Sequence, residues 1–573
     1  MRNFVLTFLF FLGLVSLHQG CYVHIPRDQL KDVIKTPLKH LPKDQLPEQW
    51  LWSDVNGTNY LTLLRNQHIP QYCGSCWSFA TTSALADRIK IIRQAQWPDI
   101  ELAPQILLSC SHGDNKGCSG GNHHLAYEYI HNYSISHESC SNYQANGWDT
   151  GLDCSDLLKC QECDSAGNCS VPNSYPIYTV DEYASIDGEE AMMNEIYQRG
   201  PIACSLDDTP LFNYTGGIIN YTGQSNGTNH VVSIVGYGVE NDVPYWLVRN
   251  SWGSYYGEYG FFRIIRGSNN ALIESHCSWA TPKDTWTNHI RNHTTEETEK
   301  VKMSPEEQGF LENKKGIPSS SLPSSWDWRN VSGRNYLSWT RNQNSPQYCN
   351  SGWAQAATSA LSDRINIFNN VTNQDISLSV QAMVNCNAGG SCDGGDPIGV
   401  YQYALLHGIP EDTCQNYLAA NPTQADCAAI KVCQNCMPGK NRYDCFSVPE
   451  YKNWTVSKYG TVVGVQSIKK AISEQGPVSC GIVMTPEFEA YTGGVFQQAT
   501  TSEGEFNHYV SLVGWGIDAR TQNEYWIGRN SFGNAWGELG YFRILIGRNN
   551  LGIETYCTFG IPNVGKTTQI ISI

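Results

Sequence analysis

The strongest constraint on this chain is that it repeats itself. LPEQWLWSDVNGTNYLTLLRNQ (Leu46–Gln67) returns as LPSSWDWRNVSGRNYLSWTRNQ (Leu322–Gln343). SALADRIKI (Ser83–Ile91) returns as SALSDRINI (Ser359–Ile367), and NHVVSIVGYG (Asn229–Gly238) as NHYVSLVGWG (Asn507–Gly516). The period, about 276 residues, is far too long for a solenoid unit and has the size of a whole domain. Any fold must therefore be built twice, over residues 46–283 and 322–563. Each copy begins with helical spacing (76–92, 104–110, 123–132) and ends in β-branched and aromatic runs (202–206, 231–238, 245–250, 260–266), an α+β pattern. Residues 284–321 are charged and free of cysteine, as expected of a solvated linker, with a docking helix around 305–312 as the alternative. Residues 564–573 are expected to form a tail.

The N-terminus carries Arg2 and a 14-residue apolar run, Phe4–Leu17, which is short for a membrane span and suits a signal peptide over 1–20. Twenty-two cysteines then imply a disulfide framework formed in the oxidising secretory pathway. Sequons at Asn56, Asn132, Asn168, Asn213, Asn220, Asn226, Asn292, Asn330, Asn370 and Asn453 are candidate glycosylation sites. A formal charge of −16 argues against nucleic-acid binding, and no apolar run after the signal is long enough to span a membrane.

The repeat also sorts the cysteines. Ten lie in the second copy, and each has a counterpart in the first; Cys21 and Cys76 have none. Ten cysteines make five bridges per copy the simplest reading, and Cys76 is left as a reactive-thiol candidate. NQHIPQYCGSCWSFA (Asn66–Ala80) becomes NQNSPQYCNSGWAQA (Asn342–Ala356), so Cys73 persists as Cys349 while Cys76 becomes Gly352. A redox pair would need both cysteines of CGSC, which argues against a thiol–disulfide oxidoreductase. Zinc is disfavoured for the Cys160-x-x-Cys163 and Cys433-x-x-Cys436 spacings, which are expected to be bridged; neither a metal nor a cofactor is expected.

A nucleophilic thiolate needs help to ionise. Cys76 opens a predicted helix, whose N-terminal dipole supplies part of it. His230 begins a strand, and Asn250 in RNSWG lies on the next, placed to orient an imidazole with Trp252 shielding the pair. The alternative is a buried structural Asn and a packing Trp.

CGSCWSF, NHVVSIVGYG and YWLVRNSWG resemble the active-site blocks of the papain family of cysteine proteases. His230 and Asn250 follow Cys76 by 154 and 174 residues, somewhat more than that family's usual spacing, which the cysteine-rich segment 140–169 accounts for. The resemblance implies a helical subdomain packed on a β-barrel-like one with the cleft between them. It implies Cys76 as nucleophile, His230 as base and acid, Asn250 as orienting group and Gln67 as oxyanion donor. His68-Ile69-Pro70, inserted between Gln67 and the cysteine, narrows the resemblance to the cathepsin X (cathepsin Z) group. There the loop histidine binds the substrate's terminal carboxylate, which implies carboxypeptidase action through His68; the alternative is a plain loop residue.

The same resemblance implies bridges Cys73–Cys118, Cys110–Cys154, Cys140–Cys160, Cys163–Cys169 and Cys204–Cys277. Their counterparts are Cys349–Cys392, Cys386–Cys427, Cys414–Cys433, Cys436–Cys445 and Cys480–Cys557. It further implies a short prosegment (21–45) whose Cys21 bonds Cys76 as a reducible latency lock. The second copy keeps Gln343, His508 and Asn530 around Gly352, so it is expected to be an inactive domain for binding or regulation, possible docking on the first domain included. Peptides and proteins are the expected substrates; a non-catalytic tandem peptide-binding module is the rival.

Overall fold

The computed structural model describes residues 20–283, 289–292, 322–369, 375–422, 427–439, 442–499 and 505–563. The expected signal segment before Gly20, the 305–312 helix, the tail and Asn370 lie outside them. For 289–292 only the backbone is described.

Each copy is built around one long buried helix, Cys76–Ile92 in the first and Gly352–Phe368 in the second. The apolar side chains Trp77, Phe79, Leu85 and Ile89 are buried, and the helices Pro104–Cys110 and His123–Tyr133 pack against them. Asn122 caps the latter, its side chain accepting from the His124 amide at 2.9 Å.

The second half of the first copy is an eight-stranded mixed sheet. Its order is 180–186, 277–282, 202–206, 230–240, 243–249, 261–265 and 218–219, with Trp50–Leu51 added on His230–Glu240. All pairs are antiparallel except Ile218–Ile219 beside Phe261–Ile265. The second copy repeats the order strand for strand: 456–462, 557–562, 478–482, 508–517, 524–529, 541–545 and 495–496, with Trp326–Asp327 on His508–Ile517. A register shift between Leu247 and Val248 recurs between Leu512 and Gly514. The extra residue, Val235 in the first copy and Val513 in the second, lies on the strand that starts at the histidine, and such a bulge bends and twists that strand.

Two apolar cores result, one around the helices and one around the sheet, and a buried ion pair ties them together. Arg249 Nη2 meets Asp87 Oδ2 at 2.5 Å, and Arg529 meets Asp363 in the same way. The Thr62 amide donates to Asp87 at 2.7 Å and satisfies it further. Removing one partner of such a pair costs about 3–5 kcal/mol. This joint fixes the sheet residue Asn250, next to Arg249, relative to the helix that starts at Cys76.

Two expectations are corrected. The 284–321 segment is not wholly a solvated linker, because His289–Asn292 pairs with Ser174–Tyr178; a sheet edge recruits backbone whatever its side chains. Asn453 is buried, paired with Pro410 in a short ladder and donating its amide to His407 O. The folded chain does not present it for glycosylation, whereas Asn56, Asn132, Asn168, Asn213, Asn220, Asn226 and Asn330 are exposed.

Candidate active site

Three elements converge on one point. Cys76 is the first residue of its helix, His230 the first of strand His230–Glu240, and Asn250 follows strand Val243–Arg249. His230 Nε2 donates to Asn250 Oδ1 at 2.8 Å, so Nδ1 is the nitrogen turned toward the sulfurs. The Ser251 amide donates to the same Asn250 oxygen at 2.9 Å and holds it in place. The Trp252 ring lies 5.0 Å from the imidazole and covers the pair; Phe212 stacks on Trp252 at 5.6 Å.

Gln67 is buried. Its Oε1 accepts from Ser251 Oγ at 2.7 Å and its Nε2 donates to Cys73 O at 3.1 Å. His68 stacks between Tyr72 and Trp252, at 5.1 and 6.0 Å between ring centres. The structure thus brings Gln67, His68, Cys76, His230, Asn250 and Trp252 together. Ser251, which links Gln67 to Asn250, was missed in the sequence, although RNS stands in both copies.

Cys76 is disulfide-bonded to Cys21. His230 Nδ1 stands 3.3 Å from Cys21 Sγ, while Cys76 Sγ accepts from the Val231 amide at 3.3 Å. Both sulfurs and the imidazole offer ligand atoms within 4.8 Å of one another, and the bond between the sulfurs accounts for the cluster. The strap leading from Cys21 is tied on both sides. Cys21 N and Tyr22 N donate to Asn229 O beside the sheet, and Val23 N donates to Gly121 O beside the helices. Farther along, Val33 exchanges both backbone hydrogen bonds with Tyr183, and Leu41 N donates to Asn194 Oδ1 at 2.7 Å. Gly74 makes room for this crossing: a Cβ there would stand 2.6 Å from Cys118 O and 3.3 Å from Cys21 Cβ.

The other bridges are Cys73–Cys118, Cys110–Cys154, Cys140–Cys160, Cys163–Cys169 and Cys204–Cys277. In the second copy they are Cys349–Cys392, Cys386–Cys427, Cys414–Cys433, Cys436–Cys445 and Cys480–Cys557.

The second copy has the same surround. His508 Nε2 donates to Asn530 Oδ1 at 2.7 Å, Ser531 Oγ donates to Gln343 Oε1 at 2.7 Å, and Phe532 covers His508 at 5.0 Å. Burial holds His508 down to about 4, only partly offset by its bond to Asn530, so the ring is neutral at ordinary pH. At Gly352 a Cβ would stand 2.8 Å from His508 Nδ1 and 3.1 Å from Gln343 Oε1.

The papain-family cysteine protease model matches residues 46–281 and again 322–561. The chain belongs to the papain family of cysteine proteases. It is a tandem of two papain-like domains, each a set of helices against a mixed sheet. It is similar to a cathepsin Z of Onchocerca volvulus, 44% identical over 248 residues, 42% of this chain and 78% of that protein. It is also similar to a viral cathepsin of Spodoptera litura multicapsid nucleopolyhedrovirus, 34% identical over 40% of this chain, and spans 60% of that relative's length. Among solved structures, digestive procathepsin L 3 of Tenebrio molitor larval midgut matches 43% of this chain and 73% of its own, at 30% identity and a TM-score of 0.35. No helix of the described residues is long and apolar enough to cross a membrane.

Proposed function

We propose that the first papain-like domain is a cysteine carboxypeptidase held latent by the Cys21–Cys76 disulfide, and that the second is a pseudoenzyme domain. The observation that carries this is the meeting of Cys76, His230 and Asn250, with the Trp252 ring that covers His230 also stacking on His68.

Activation requires a thiol reductant. Two equivalents of RSH convert the Cys21–Cys76 bond into two thiols and RSSR. The Cys76 proton passes to His230 Nδ1, and the helix N-terminus and the imidazolium then hold the thiolate. Asn250 keeps the proton of Nε2 in place, so Nδ1 is the atom that exchanges a proton with the sulfur. The thiolate attacks the last peptide carbonyl, and the developing oxyanion is received by the Cys76 amide and Gln67 Nε2, the latter released from Cys73 O; one such donor is worth about 3 kcal/mol. His230 then protonates the leaving amine, and water activated by the same ring releases the acyl group. A protonated His68 pairs with the terminal carboxylate and favours substrates that end one residue beyond the scissile bond.

Residues 1–20 act as a signal peptide and 21–45 as the prosegment, with 284–321 joining the two domains. The exposed sequons carry glycans in a secretory, lysosome-like or extracellular setting. The test compares peptides with free and amidated C-termini before and after mild reductant, with Cys76→Ala as control. Activity should require reductant and the free carboxylate. Equal cleavage of both peptides would refute the exopeptidase reading.

A further inference from the structure

The two copies touch each other through the same residues used in both directions. Asn66 Nδ2 of the first donates to Thr413 O of the second at 3.0 Å, and Asn342 Nδ2 of the second donates to Ser139 O of the first at 3.0 Å. Thr413 Oγ1 accepts from the Ser254 amide at 3.2 Å, and Ser139 Oγ accepts from the Asn534 amide at 3.1 Å. Gln434 Nε2 donates to Pro70 O at 3.5 Å, and Gln161 Nε2 donates to Pro346 O at 3.1 Å. Asn66 and Asn342, Ser139 and Thr413, and Gln161 and Gln434 are repeat counterparts. A cavity of about 70 Å³ between the copies is lined by such counterparts as well, Arg65 with Arg341 and Tyr143 with Tyr417. Contacts of i to j repeated as j to i define an isologous interface, the kind two identical subunits make about a two-fold axis. Here it lies within one chain, and only one half still has a nucleophile.

On the live side this interface falls on the walls of the His68 site. Asn66 is a bridge: its Nδ2 reaches Thr413 O, and its Oδ1 accepts from the His68 amide at 3.0 Å. Asn66 is also buried, so this geometry is fixed without competition from water. Thr413 further holds Ser254, two residues beyond Trp252, the ring that faces His68; its Oγ1 lies 2.9 Å from Ser254 Oγ. On the third side Pro70 O rests on the Cys436–Cys445 bridge, 3.6 and 3.9 Å from the two sulfurs. One residue of the second copy therefore grips both segments that frame His68, and a cross-linked hairpin supports the end of the loop.

We propose that Thr413 is a positioning residue for His68, and that the inactive copy serves as a clamp holding the Asn66–Pro70 loop in its substrate-reading geometry. This rests on the reading of His68 as the carboxylate-binding group. A site that reads a substrate end through a single cation depends on where that cation stands, and displacements of about 1 Å in such sites cost up to ~100-fold.

The test uses the full chain after reduction, as wild type, Thr413→Val, Thr413→Ser, Gln434→Ala and the mirror variant Ser139→Ala. Two quantities are read: amide hydrogen exchange over residues 64–72, and the kcat/KM ratio for free-acid over amidated peptide. Thr413→Val removes Oγ1 and both of its contacts to Ser254 while leaving the backbone Thr413 O on Asn66, and should speed exchange at His68 by about fivefold and lower the ratio by a similar factor. The loss should lie in KM for the free acid, with the amidated peptide unaffected. Thr413→Ser should restore both readouts, and Gln434→Ala should move both by less. Ser139→Ala loosens the mirror contact on the inactive loop and should move neither. Unchanged exchange in Thr413→Val, or an equal response to Ser139→Ala, would overturn the clamp. Should wild type cleave both peptides equally, the exopeptidase reading fails and the exchange data alone decide the clamp.

Discussion

Around His230 and around His508 the two copies place the same partners at nearly the same distances. The His–Asn bond is 2.8 Å in one and 2.7 Å in the other, the Ser–Gln bond is 2.7 Å in both, and the covering aromatic ring lies at 5.0 Å in both. What differs is Cys76 against Gly352, His68 against Asn344, Trp252 against Phe532, and a strap on the first site that begins at Cys21. The difference teaches that most of this constellation is held by packing rather than by use. Ser531 and Gln343 satisfy one another in a buried place, and removing either would strand a polar group at a cost of about 1–3 kcal/mol. The proposed nucleophile and loop histidine are the positions that the second copy replaces, Cys76 by Gly352 and His68 by Asn344.

The largest effect should come from Cys76→Ala, with peptidase activity of the reduced chain falling by about 10⁵-fold or more, as when a nucleophile is removed from a catalytic unit. Residual turnover above that level, measured with a C-terminal fluorogenic peptide, would place a second catalyst in the chain and break the comparison. Restoring sulfur to the second copy sharpens it. In the Cys76→Ala background, Gly352→Cys should recover less than about 1% of wild-type kcat/KM, because the new Cβ meets His508 Nδ1 at 2.8 Å and the ring must move before it can accept a proton well.

The paired variants Asn250→Ala and Asn530→Ala should separate the copies next. The first should lower kcat/KM by about 10²-fold through loss of imidazole orientation, within the usual span of acid–base contributions. The second should leave peptide cleavage within about twofold, since Asn530 orients a histidine with no thiol to serve.

The last expected effect is on stability rather than rate and concerns pH. Burial, opposed by Arg65, raises the Glu101 carboxyl to about 8 from an ordinary 4.5; its counterpart in the second copy is Ser377. A folded-state pKa above the unfolded one means the folded state holds the proton more tightly. Glu101 therefore favours the folded state most below pH 4.5, and that contribution is lost as pH rises toward 8. Unfolding free energy should fall by roughly 1 kcal/mol per pH unit within that window from this group. His508 works in the opposite sense: held at about 4, it makes folding more favourable as pH rises from 4 to 6.5. Denaturant unfolding of the full chain from pH 4.5 to 8, followed by a probe in each domain, should show Glu101→Gln flattening the transition of the first domain. No change in its slope would remove Glu101 as the source.

The duplication was legible because whole sentences of sequence recur, and the long helix and the sheet strands because their apolar spacing is local. Cys76 stood out because the second copy subtracts ten structural cysteines from the list. Contacts between distant polar side chains leave no such periodic mark. Nothing around Ser251 announces its bond to Gln67, and nothing in PEDTC announces that Thr413 faces Asn66. Asn453 reads as a sequon, yet ladder pairing and the bond to His407 O bury it. The strand at 289–292 sits in a charged stretch whose composition argues for solvent, since the bonds that hold it belong to the backbone.

The strap from Cys21 also sets a direction in time. While it stays joined to the domain through residues 22–45, opening the bond to Cys76 frees two thiols that remain neighbours, and an oxidant can close the same pair again at the high effective concentration of a tethered group. Once the strap is cut and the bond reduced, its cysteine diffuses away and the closed state can be regained only by chance encounter. Reduction alone thus gives a reversible opening, reduction after cleavage a permanent one, and the order of the two events decides whether the Cys21–Cys76 bond can form again.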